Sequence, residues 1–158
     1  MQSPPVQRVA AAARELGLQI EIREFPEGAR TAEDAARAIG VDVGQIVKSL
    51  VFLADRRPVV CLVSGRNRLD AAALSALLGT AEVRRASADE AREATGFAVG
   101  GVPPFGHKQP VPVFCDRDLL TYETVWAAAG TPTAVFAADP RRLVEACGAT
   151  VAGLKENA

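Results

Sequence analysis

The chain has 158 residues, 49% of them hydrophobic but only 5% aromatic, and a formal net charge of −1. That length predicts a single domain over residues 1–158, with a core of Val, Leu, Ile and Ala. The near-neutral charge excludes a protein that grips nucleic acid through overall basicity and leaves room only for a local patch.

Ser3-Pro4 reads as a helix start, followed by Val6, Val9, Ala10, Ala13 and Leu16 at helical spacing and stopped by Gly17. Ile20 and Ile22 alternate with polar residues and predict a short strand. Thr31 caps a helix to Ile39, with Gly40 just past its end. Ile46 to Ala54 is an apolar run interrupted by Lys48 and Ser49; a polar turn, Asp55-Arg56-Arg57-Pro58, then returns the chain along Val59 to Ser64 as an antiparallel hairpin. Asp70 caps a helix through Leu78. Glu82 to Ala86 predicts a strand, and Ser87 with Glu90 opens another helix to about Ala94. Val111 to Cys115, Glu123 to Ala127 and Ala134 to Ala137 read as strands, and Asp139-Pro140 starts a last helix ended by Gly148. Lys155 to Ala158 are expected to fray. This irregular alternation, with several hairpins, predicts a mixed or antiparallel α+β domain and not a doubly wound parallel sheet.

The residue inventory restricts the chemistry. There is one histidine, His107, so a two-histidine metal site is excluded, and no metal and no cofactor is expected. No nucleophile elbow or phosphate-binding P-loop is present. The three cysteines, Cys61, Cys115 and Cys147, form no CxxC pair. With no basic-plus-apolar leader at the N-terminus, they point to a reducing cytoplasm. No apolar run approaches the roughly 18 residues of a membrane span, so no membrane partner is expected.

Two features are candidates for function. Lys48 is one of only three lysines (48, 108 and 155) and lies at the start of an apolar strand. There an ammonium either points into a cleft toward a phosphate, a ribose or an oxyanion, or snorkels to water on its packed stem. Gly96 to Gly106 holds four glycines and two prolines in eleven residues. Such a loop either presents rigid backbone amides to a ligand or merely turns the chain. His107 is a base, a ribose contact or an ordinary loop histidine. Arg66, Asn67 and Arg68 form a small basic loop that either meets an RNA backbone or stays solvated.

Together, in chain order, "GQIVKSLVF", "CLVSGRNRLD", "ATGFAVGGVPPFGH" and "AGTPTAVFAADPRRLVEACGATVA" resemble the YbaK/prolyl-tRNA synthetase editing-domain family over roughly residues 30–152. The resemblance implies an α+β domain with a curved, mixed, largely antiparallel sheet flanked by helices. It implies a free, trans-acting aminoacyl-tRNA deacylase that hydrolyses the ester of mischarged tRNA without metal or covalent nucleophile. The partner is the 3′ aminoacyl end of tRNA, with an aminoacyl-tRNA synthetase as a further candidate. Lys48 then holds the tRNA terminus, and the amides of Gly100 and Gly101 polarise the ester. Ser64, Val102, Pro103, Pro104, Phe105, Gly106 and His107 complete the substrate site. Two departures stand out: Pro103 replaces a serine common in the family, and Gly130 to Val135 lacks the charged residues of the cysteine-clearing branch. They leave the amino acid removed open, and a non-catalytic module binding a tRNA end, nucleotide or amino acid in the same cleft stands as the alternative.

Overall fold

The computed structural model describes residues 3–25 and 31–156. Ser3 precedes helix α1 (Pro4–Glu15), which buries Val6, Val9 and Ala13 on one face. After β1 (Ile22–Glu24), the Thr31 hydroxyl accepts from the Asp34 N–H and starts α2 (Ala32–Ile39), which ends at Gly40 with φ 87°. A 3₁₀ turn at Val43–Gln45, unforeseen in the sequence, leads into β2 (Val47–Ala54). The returning strand β3 (Arg57–Ser64) starts earlier than expected, because the turn is only Asp55-Arg56, at φ 50° and 68°. Two-residue hairpin turns of this hand match the twist of the strands they join.

Helix α3 (Ala71–Leu78) is capped by Asp70, which accepts from the Ala72 and Ala73 N–H groups at 2.9 and 3.2 Å. Strand β4 (Val83–Arg85) and helix α4 (Ala88–Thr95) follow, the latter opened by the reciprocal Ser87–Glu90 capping box. Beyond the glycine-proline loop come β5 (Val113–Asp116), a 3₁₀ turn at Arg117–Thr121, β6 (Val125–Ala128), β7 (Ala134–Ala138), α5 (Pro140–Cys147) and β8 (Thr150–Ala152). Strand β8 is absent from the sequence-based reading. Lys155 and Glu156 are also held where fraying is expected: Lys155 bridges to Leu69, and the Glu156 N–H donates to the Arg68 carbonyl at 2.8 Å. Asn157 and Ala158 lie outside the described residues.

The strands form two sheets, a five-stranded one in the order β4-β2-β3-β5-β8 and a three-stranded one in the order β1-β7-β6. Four of the six strand pairs are antiparallel; β3–β5 and β5–β8 are parallel. A parallel bridge between Ile46 and Trp126 links the two sheets, which together are mixed and largely antiparallel, as the resemblance implies. Side-chain alternation splits the core. Val47, Val51, Val60 and Leu62 face α1, Phe97, Val102, Phe105 and Phe136. Phe52, Cys61 and Val63 face Leu74 of α3 and Leu154. Each fully buried Leu, Val or Phe contributes roughly 1.5–3 kcal/mol, and both faces of β3 are closed in this way. The pairing of β2 is uneven. Strand β3 accompanies its whole length, whereas β4 reaches only Phe52 to Ala54. Among the described residues no strand is paired along the other edge of the first half of β2, where β6 approaches only through the Ile46–Trp126 bridge, and a cleft opens there.

Candidate active site

The cleft measures about 420 Å³. Its floor is the unaccompanied half of β2, including Lys48 and Ser49. One wall is the first turn of α2 with Glu33. The other walls come from Val99, Gly100 and Val102 and from the β6–β7 hairpin with Trp126 and Pro132. Most of the lining is apolar, with Thr31, Glu33, Lys48, Ser49 and Arg85 as its polar groups, a mixture common in small-ligand sites.

Lys48 is half-buried in this floor. Its Nζ donates to the backbone carbonyl of Asn67. Burial holds its pKa below the ordinary lysine value; Arg85 and Arg68 push the same way, while Glu33 and Asp116 oppose them. The ammonium is therefore partly desolvated, a setting in which an anion reaching the cleft interacts with it more strongly than in water.

The glycine-proline loop divides into parts with different tasks. Gly100 is exposed on the cleft wall at φ 90°, a left-handed value that favours glycine. Its N–H finds no acceptor among the described residues. Gly101 is buried behind it. Its N–H donates to the Ala98 carbonyl at 2.9 Å, and its carbonyl accepts from the Gly130 N–H at 3.0 Å. A Cβ on Gly101 would lie 2.7 Å from both the Gly130 oxygen and the Thr131 Cα, so the two turns interlock backbone against backbone. Gly130 in turn, at φ 103°, is backed by Pro5 of α1.

The remaining expected site residues sit outside the cleft wall, Val102 excepted. Ser64 is 1% exposed; its hydroxyl donates to the Gly44 carbonyl at 2.7 Å and its N–H to Asp116 at 3.1 Å, and neighbouring Gly65 lines the cleft in its place. Pro103, Pro104 and Phe105 are buried, with Phe105 stacked 5.5 Å from Phe136. Gly106 packs against Ala12 of α1. The His107 ring donates from Nε2 to the Pro103 carbonyl at 2.7 Å, and burial lowers its pKa, which favours the neutral ring. It braces the loop from behind. Sequence reasoning missed Glu33, Arg85 and Trp126 as cleft residues. Trp126 falls within the stretch Glu123 to Ala127 read as a strand, which by itself does not place it in a cleft.

Cys61 and Cys115 are buried and their thiols are pushed up to about 12, so they are packing residues. Among the described residues no group of three or more His, Cys, Asp or Glu is arranged to hold a metal ion, and no helix is long and apolar enough to cross a membrane. The arrangement suits binding and polarisation: a lysine on the floor, a wall residue, Gly100, whose N–H has no acceptor among the described residues, and largely apolar surroundings.

An α+β domain of two joined sheets, with a lysine and a glycine loop meeting across a lateral cleft, defines the structural class. Residues 26–146 match the aminoacyl-tRNA editing domain, and the chain belongs to that family. Its fold is closely similar to a solved candidate trans-editing enzyme for prolyl-tRNA synthetase, at 49% identity and a TM-score of 0.94, covering 99% of this chain and 100% of that one. It is also similar to the proline–tRNA ligase of Maridesulfovibrio salexigens, 37% identical over 125 residues, which are 77% of this chain but 21% of the ligase. The protein YwhH of Bacillus subtilis is 32% identical over 79% of this chain and 80% of its own length. The candidate Cys-tRNA(Pro)/Cys-tRNA(Cys) deacylase EbsC of Enterococcus faecalis is 29% identical over 63% of this chain and 62% of its own. The chain thus spans about a fifth of the ligase it matches and the full length of the solved trans-editing relative.

Proposed function

We propose that residues 1–158 act as one trans-acting editing domain that hydrolyses the ester of mischarged aminoacyl-tRNA in the cytoplasm, without a metal. The observation that carries this reading is that Lys48 and Gly100, whose N–H has no acceptor among the described residues, line one largely apolar cleft. Lys48 holds the 3′-terminal nucleotide through its phosphate or ribose, as a point charge with free N–H donors. The Gly100 N–H donates to the ester carbonyl oxygen as negative charge builds there; one such donor is worth roughly 10²–10³ in rate. Water adds to the carbonyl carbon, the bond to the ribose oxygen breaks, and that oxygen takes the proton that water gives up. No protein base is required at the cleft, because an aminoacyl ester is activated and needs mainly positioning and oxyanion stabilisation. Membership of the editing family and the likeness to the trans-editing relative support this reading.

The test is a deacylation assay over a panel of mischarged tRNAs, with wild type and Lys48→Ala. Loss of an oriented charge-assisted contact lowers kcat/KM by about 10- to 100-fold. Saturable tRNA-end binding with no turnover on any ester identifies a non-catalytic module instead.

A further inference from the structure

Lys48 does not set its own direction. A lysine stem has four rotatable bonds, and an ammonium on an open strand edge samples many rotamers unless a fixed acceptor selects one. The acceptor here is a backbone carbonyl in the loop between β3 and α3. A loop carbonyl selects a rotamer only if the loop itself is fixed, and the side chain of the same residue supplies that fixation.

Asn67 lies between Arg66 and Arg68, both exposed, while its own side chain turns inward. Its amide nitrogen donates to Asp116 at 2.8 Å and to Asp118 at 2.9 Å. Two carboxylates on one atom settle the orientation of the amide, since an amide oxygen there would meet only acceptors. Asp116 is 1% exposed and also receives the Ser64 and Asp118 N–H groups, at 3.1 and 3.0 Å. It ties the end of β3, the loop and the 3₁₀ turn at Arg117–Thr121 to one buried carboxylate. Asp118 is in turn paired with Lys155 at 3.0 Å.

We infer that Asn67 is a positioning residue for Lys48: its side chain, clamped between Asp116 and Asp118, holds the carbonyl that fixes the ammonium at the edge of the cleft. The inference rests on the deacylase reading for its kinetic consequence but not for its structural one. The Lys155 clip gives it a second feature. The strap beyond β8 reaches back to the loop through Lys155–Asp118, the Glu156–Arg68 bond and the Asp70 N–H donating to Leu154. A segment after the last strand thereby takes part in aiming a residue near the start of β2.

The experiment uses the full chain with lysine ε-carbons isotopically labelled. With only three lysines, the Lys48 signal is assigned by its loss in Lys48→Met. Asn67→Ala is expected to raise KM for a mischarged tRNA about tenfold while kcat stays within about twofold, because Lys48 still reaches the ligand but is no longer aimed. In the same variant the Lys48 titration moves up toward an ordinary lysine, as the freed ammonium finds water. Asp118→Asn, at an exposed pair, is expected to shift both readouts the same way by a smaller amount, and it decides the question if Asn67→Ala fails to fold. An unchanged KM together with an unchanged Lys48 titration in a folded variant overturns the inference. If the wild type hydrolyses no ester, the deacylase reading fails, and the Lys48 titration alone still decides the positioning role.

Discussion

Replacing Gly101 by alanine probes the loop without touching the cleft wall. The added methyl would sit 2.7 Å from the Gly130 oxygen and 2.7 Å from the Thr131 Cα. Carbon contacts are comfortable at about 3.5–4.0 Å, so one backbone must move by about 0.8 Å or more. The Gly130 turn has no slack behind it, because its own Cα faces the Pro5 carbonyl group. The shift therefore falls on the Gly100–Gly101 segment and weakens the 3.0 Å bond from Gly130 to Gly101. Backbone overpacking of this kind costs about 1–3 kcal/mol, which lowers Tm by roughly 2–10 °C in a chain of this size. A misplacement near 1 Å costs about 10²-fold where catalysis depends on positioning, so kcat/KM falls by about 10- to 100-fold. Affinity for uncharged tRNA, which the proposed mechanism assigns to Lys48, changes by less than about threefold. Deacylation kinetics, tRNA binding and thermal unfolding of the same preparation measure all three. An alanine variant with wild-type kcat and Tm refutes the interlock as the device that places the Gly100 amide.

Three further outcomes follow from burial and charge. Lys48→Met lowers kcat/KM for deacylation by about 10- to 100-fold yet unfolds at a temperature equal to or above that of the wild type near neutral pH. The folded-state pKa of Lys48 is depressed, so wild-type stability rises as pH climbs from that value to the ordinary lysine value, and the difference from Lys48→Met shrinks over that window in a Tm–pH series. His107 is likewise depressed by burial; its contribution is present above the ordinary histidine pKa and is lost as pH falls through the folded value, so His107→Gln, which keeps a donor for the Pro103 carbonyl, flattens Tm between pH 7 and 5 and leaves kcat within about twofold. Cys61 and Cys115, with thiols near 12, stay unlabelled by a thiol reagent at neutral pH until the chain is denatured; mass spectrometry of native and unfolded samples shows it.

Features encoded within a few residues were readable in the sequence. Asp70, Ser87 and Asp139 cap the helices expected of them, and Gly40 and Gly148 end helices in left-handed geometry. Lys48 and the glycine loop were also visible, because a lysine in an apolar strand and a cluster of glycines are both locally anomalous. The division of labour within the loop was not. Gly100 and Gly101 are the same residue type, and Gly130, some thirty residues on, packs against Gly101 as a buried joint while Gly100 stays exposed in the cleft lining. Asn67 was equally hidden: its partners Asp116 and Asp118 are 49 and 51 residues away, and in sequence it reads as one polar residue of a basic loop. Strand β8 is three residues long, too short for alternation to register, and it exists because β5 offers it an edge.

The central claim is that Lys48 and the Gly100 amide act together on an aminoacyl ester. Initial rates of deacylation over a full panel of mischarged tRNAs, measured side by side for wild type and Lys48→Ala, test it most directly. The expected result is multiple-turnover hydrolysis of at least one mischarged tRNA by the wild type, and a loss of about 10- to 100-fold in kcat/KM in the folded variant. Equal rates for the two proteins, or no turnover by the wild type on any member of the panel, contradict it.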